Sequence, residues 1–175
     1  MRRCLTVLLF AILVIVLSGC ASVTPTSFAE MDKSDDFEKV IVQTDEACTF
    51  EVDVTNFKEE TAIYEGENGE ILLAGIEEIS SNVMELQFKA QGVVNADHAT
   101  VLTACAYKDN GFMQSPVTVE PSENIVVKYS LMTTEIEEFG NRFALTILFE
   151  NCDVKESGTI KVTLQDLLLI EFNKG

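Results

Sequence analysis

Alternation with a period of two constrains this chain more than any other feature. Cys48, Phe50, Val52 and Val54 take turns with Thr49, Glu51, Asp53 and Thr55, and Met84, Leu86 and Phe88 with Glu85, Gln87 and Lys89. The same beat returns in Ile125, Val127, Tyr129 and Leu131, and again in Phe143, Leu145, Ile147 and Phe149. Successive side chains of a strand point to opposite faces, so each segment has one apolar face that must be laid against a second layer. Shorter strands are predicted at 40–42, 62–64, 71–74, 101–107, 117–120 and 160–164. Turn chemistry punctuates them. Asn68-Gly69 within EGENGE suits a tight hairpin because both residues tolerate positive φ. Residues 108–111, 121–123 and 156–158 carry similar Asp, Asn, Pro, Ser and Gly signals.

Many short strands at this spacing, with no long amphipathic helix between them, predict an all-β fold. The architecture expected is an antiparallel, immunoglobulin-like β-sandwich forming one domain over residues 38–175. Residues 76–82 and 91–99 read as loops. The tail is ambiguous by pattern: Leu167, Leu168, Leu169 and Ile170 are consecutive, so no face of residues 164–172 is polar throughout. A central strand covered on both sides explains this most simply; a short C-terminal helix or a partner-docking edge strand are the alternatives.

The N-terminus has a different character. Arg2 and Arg3 precede an uncharged apolar run from Leu5 to Leu17, a length suited to a secretory signal and short for a membrane span. The run ends in Leu17-Ser18-Gly19-Cys20, which resembles the lipobox of bacterial lipoproteins. The resemblance implies signal peptidase recognition through Leu17, Ser18 and Gly19, removal of residues 1–19, and lipidation of the Cys20 thiol. Residues 20–37, small, polar and acidic, then read as a flexible tether carrying the domain away from the lipid. An uncleaved signal anchor, or plain secretion, are the other readings of the same run. Ala21 follows the cysteine, so the Asp signal for inner-membrane retention is absent. The location implied is the cell membrane or outer membrane, facing the periplasm or the exterior.

Charge narrows the partners. The chain has 29 acidic against 12 basic residues and a formal charge of −17. That balance repels nucleic-acid backbones and anionic headgroups, so no nucleic-acid partner is expected and the membrane is engaged through the Cys20 anchor alone.

Candidate chemistry is sparse. Cys48, Cys105 and Cys152 form no CxxC and no close pair, which argues against zinc or a redox centre. Outside the cytoplasm a single bridge is permitted. Cys48 opens one strong strand and Cys152 follows another, so a Cys48–Cys152 bridge is expected if those strands are neighbours; three unbridged core thiols are the alternative. His98 is the only histidine, and no GxSxG accompanies it, so it reads as a loop residue rather than a base. The acidic residues fall mostly on polar strand faces and in turns. EGENGE offers oxygens to a hard cation but lacks the spacing of a calcium loop. Thus no catalytic residue, metal or cofactor is expected. The function expected is non-enzymatic binding or scaffolding of another envelope component, with an envelope protein as the expected partner and residues 164–172 as a first candidate interface if exposed. A receptor for a small ligand or cation is the alternative.

Overall fold

The computed structural model describes residues 27–57, 60–108, 111–121 and 124–175. Strands β1 (Phe37–Gln43) and β2 (Cys48–Asp53) are followed by a hairpin of β3 (Thr61–Gly66) and β4 (Gly69–Ser80), then β5 (Val83–Gln91). Next come the two-residue β6 (Val93–Val94), β7 (His98–Thr103), the hairpin of β8 (Cys105–Lys108) and β9 (Gly111–Gln114), and β10 (Val117–Glu120). A long hairpin of β11 (Val127–Glu137) and β12 (Gly140–Phe149) leads through a 3-10 turn at Val154–Glu156 to β13 (Thr159–Leu164) and β14 (Leu168–Lys174). A short helix α1 (Phe28–Met31) precedes them all. Every ladder among the described residues is antiparallel, so the all-β antiparallel class is the one the alternation anticipated.

One layer is a five-stranded sheet in the order β11-β12-β5-β4-β3. The other consists of two sheets, β1-β14-β7-β6 and β10-β13-β2, which are two halves of one broken ladder. The same two stretches of chain pair twice: Phe37 to Gln43 against Lys174 to Leu168, then Cys48 to Asp53 against Leu164 to Thr159. Both are interrupted at the same level, and the break is stitched by Thr44 N–H to the Leu167 carbonyl and Leu167 N–H to the Glu46 carbonyl, each 2.9 Å. Asp166, with φ of 49°, turns the chain there. The layers meet face to face. Phe50 of β2 stands edge-on to Phe88 of β5 with ring centroids 5.9 Å apart, and Phe88 stacks on Phe143 of β12 at 4.8 Å. Met84, Leu86, Leu145, Ile147 and Phe149 complete this core, all buried. Each such side chain contributes roughly 1.5–3 kcal/mol on leaving water.

Several boundaries differ from the sequence expectation, each for a local reason. Residues 76–82 are not a loop, since β4 runs on to Ser80. Register shifts at Leu73/Gly75 and Glu78/Ser80 break its alternation, and a bulge adds a residue that pattern reading cannot see. Residues 101–107 divide into β7 and β8 at Ala104, and Ile125 lies outside β11. Tyr129 is 46% exposed rather than inward, its hydroxyl donating to the Val117 carbonyl at 2.6 Å. EGENGE does form a hairpin, but its left-handed residue is Gly69 (φ 118°) and not Asn68. A side chain at Gly69 would also meet the Gln91 carbonyl at 2.0 Å. Strand β14 is central, between β1 and β7, as the consecutive leucines required, while Leu167 is buried in the break itself.

The tether boundary at residue 37 also moves. Ser27 caps α1, its Oγ accepting from Glu30 N–H at 3.2 Å. Phe28 and Met31 are buried, and Phe28 packs edge-on against Phe172 of β14 at 4.9 Å. Phe28 N–H donates to the Glu138 carbonyl at 2.6 Å, and Asp32 pairs with Lys39 at 2.5 Å. Phe37 already belongs to β1. Residues 27–37 are therefore part of the domain. The signal segment 1–19, Leu17, Ser18, Gly19, Cys20 and the rest of the tether lie outside the described residues, as do the turn residues Asp109, Asn110, Ser122 and Glu123.

Candidate functional site

A two-layer sandwich has two long sides where the layers end, and here the two are treated differently. On one side the chain leaves the broken layer after β7 as the β8–β9 hairpin and crosses to the five-stranded sheet. The Cys105 carbonyl there accepts from Thr133 Oγ1 and Asn141 Nδ2, both at 3.2 Å. The Asn141 Oδ1 is buried without a partner, a cost of roughly 1–3 kcal/mol that the hairpin contact must offset. The hairpin bridges the layers there and leaves between β10 and β11 a recess of about 430 Å³ lined by Val117, Tyr129 and Leu131.

The other side is open. Strands β2 and β3 are each terminal in their sheets, and between them lies a groove of about 620 Å³. Its floor is apolar, built from Phe50, Val52, Phe57, Ile63 and Leu73. The inward phase of β2 supplies Phe50 and Val52, while Ile63 sits at the register shift of β3. The rim is acidic, with Glu51 and Asp53 from the outward phase of β2. Asp53 accepts from Thr55 Oγ1 at 2.7 Å and Thr55 N–H at 2.9 Å, bonds that hold its carboxyl below the usual range and keep it charged. Two lysines nearby are already engaged, Lys89 with Glu60 at 2.9 Å and Lys155 with Glu78 at 3.0 Å. Phe57 also borders a second recess of about 370 Å³ with Val54, Ile76, Met84 and Val154. Phe57 is the wall the two have in common.

The residues singled out by the sequence are scattered elsewhere. Cys48, Cys105 and Cys152 are unbridged. The expected Cys48–Cys152 bridge fails because its premise fails: β2 pairs with β13, β12 pairs with β5 and β11, and the two strands belong to different layers. Burial pushes the Cys48 thiol up to about 11, although it is bonded to the Leu164 backbone. It pushes the Cys105 thiol to about 12, with Thr133 Oγ1 3.2 Å from its sulfur. Partial burial, then Glu156 and Asp153, raise Cys152 as well. A nucleophilic cysteine needs the opposite shift. His98 opens β7 and shares a 2.8 Å hydrogen bond through Nδ1 with Asn173 Oδ1. Among the described residues no three acidic, cysteine or histidine side chains converge as metal ligands. The 164–172 segment is covered, so it is not an exposed interface.

No family model matches the chain, and neither the curated proteins nor the solved structures contain a significant match. The groove thus stands on its geometry. Sequence reading did not find it, because Phe50 and Ile63 come from edges of two different layers. Only the alternation of β2 signalled part of it, by assigning Phe50 and Val52 to one face and Glu51 and Asp53 to the other.

Proposed function

We propose that this is a lipid-anchored bacterial envelope protein whose immunoglobulin-like sandwich binds another envelope component without catalysing a reaction. The observation that carries the binding half is the open groove between β2 and β3, with its apolar floor and charged rim. Contact surfaces of this kind combine a desolvated apolar centre with a polar border. The raised thiols support the non-enzymatic half, since a neutral, buried sulfur is inert. The anchoring half rests on Leu17-Ser18-Gly19-Cys20 and the apolar run before it.

Intact-mass analysis of the chain extracted from membranes tests the anchor. A mature chain beginning at Cys20 and carrying acyl groups is the expected product, and Cys20→Ser should release the protein into the soluble fraction. A chain that retains Met1 and its free thiol would overturn the anchoring. A small-ligand receptor is the second reading, favoured by a groove volume within the roughly 300–1,000 Å³ of ligand sites. It predicts ligand-dependent melting of the purified protein.

A further inference from the structure

We propose that the β2 side of the groove takes an extended segment of a partner polypeptide, one that alternates apolar and basic side chains and adds as a strand to the free edge of β2. This deepens the binding reading above and rests on it. A terminal strand offers a row of unpaired backbone groups, and strand addition is a common way to satisfy them. Of the two edges facing the groove, β2 is the regular one. Its six residues pair with β13 without a register shift, whereas β3 carries a shift between Ala62 and Tyr64. Bulges blunt an edge, so the added strand belongs on β2.

The alternation of β2 then dictates the chemistry of the occupant. Every second side chain of the added strand would fall in line with Phe50 and Val52, over Ile63, Leu73 and Phe57. Those positions must be apolar. The intervening side chains would lie beside Thr49, Glu51 and Asp53, where opposite charge across strands is favourable. Those positions call for Lys or Arg. The molecule already holds a template on the other flank of β2. There β13 reads Thr-Ile-Lys-Val-Thr-Leu, with Ile160, Val162 and Leu164 buried and Lys161 in register between Glu51 of β2 and Glu120 of β10, its ammonium 3.2 Å from Glu120.

Charge also selects among occupants. A second copy would bring another acidic chain of formal charge −17 against this one. A small apolar molecule would fill the floor and leave the outer edge of β2 and the charged rim unanswered. A basic, extended segment answers the floor, the rim and the backbone together.

The test uses the full chain in detergent micelles and a labelled six-residue peptide, Ile-Lys-Val-Lys-Val-Lys, capped at both ends. A block peptide of the same composition, with its three lysines together, is the control for plain charge attraction. Two further versions carry backbone N-methyl groups on the odd or on the even residues. Strand addition predicts at least tenfold tighter anisotropy-measured binding of the alternating peptide than of the block peptide. It also predicts a tenfold loss for one N-methylated version and little for the other, because one strand edge faces β2 and the opposite edge does not. Glu51→Lys, on the exposed face and harmless to the core, should weaken binding tenfold, and Ile63→Lys should do the same if circular dichroism shows it folded. Equal binding of alternating and block peptides, or indifference to N-methylation, would overturn the proposal, as would binding that survives Glu51→Lys. Self-association of the chain through this edge, or groove occupancy by a small apolar probe alone, would overturn it too. The anchoring reading is judged separately by the mass of the membrane-extracted chain. A lipidated chain that ignores the peptide refutes the strand alone, and a peptide-binding chain without lipid refutes the anchor alone.

Discussion

Each of the three cysteines among the described residues reports on its own surroundings, and they differ in ways that an alkylation experiment can read. Cys48 and Cys105 are buried, and Cys152 is half-buried on the loop after β12. Brief treatment of the native protein with iodoacetamide near neutral pH should modify Cys152 and spare Cys48 and Cys105 until denaturant is added, as peptide mass mapping will show. Recovery of a Cys48–Cys152 linked peptide would contradict the layer assignment. The same thiols couple stability to pH. Their ordinary value of 9.0 is raised to about 11 at Cys48 and about 12 at Cys105 in the folded chain. Between those limits the unfolded chain gives up its thiol protons first, so stability must fall as pH rises above 9; below 9 these groups leave it unchanged. Each contributes a slope approaching about 1.4 kcal/mol per pH unit. Urea unfolding at pH 8 and pH 10.5 should therefore show a shallower alkaline loss in Cys48→Ala than in the parent protein. An identical loss would place the Cys48 thiol in contact with water.

At the level of elements, α1 is the piece that departs most from its sequence. Four residues make one turn, far too short to persist alone. What holds it is tertiary: Phe28 against Phe172, Met31 in the core, and the Glu138 carbonyl accepting from Phe28 N–H. Phe28→Ala should cost about 3 kcal/mol or more in urea unfolding, in keeping with removal of a buried phenylalanine. A flexible tether through residue 37 would predict no change. Short-range pattern explains what was legible. The inward phases of β5 and β12 were written in Met84, Leu86, Phe88 and in Phe143, Leu145, Ile147, Phe149, and all seven are buried. The central position of β14 followed from its unbroken leucines. Illegible features depended on residues distant in sequence or on bulges that break the alternation. Phe28 reads as tether until Phe172 is placed beside it, and the bulges of β4 hide a strand inside an apparent loop. The groove was half legible, since the two phases of β2 were plain but its facing edge was not.

The whole molecule has two distinct ends. Helix α1, the Glu138 carbonyl and the chain terminus at Gly175 gather at one, where Gly175 N–H donates to the Asp36 carbonyl at 3.0 Å. From Phe37 the chain runs away from that end through β1 and, past the break, into β2. At about 3.3 Å per residue, Phe50 is roughly 40 Å along that path. If Cys20 bears the lipid, its separation from Ser27 spans at most about 25 Å. On the proposed anchoring, the α1 end would lie nearest the bilayer, with the groove farther along the chain. In vesicles containing spin-labelled lipid, NMR signals around Glu138 and Phe139 should broaden more than those around Glu51 and Asp53. The reverse order would refute this orientation.

An anchored module that binds through the β2–β3 side is tested most directly by photocrosslinking in the cells that make it. A photoreactive residue would replace Glu51 at the groove, or Tyr129 on the far edge of the five-stranded sheet as comparison. A reproducible adduct from position 51, mapped to an alternating apolar and basic segment of one envelope protein and lost with Cys20→Ser, is the expected result. Equal yields from both positions, or an adduct that persists when the chain is released from the membrane, would contradict it.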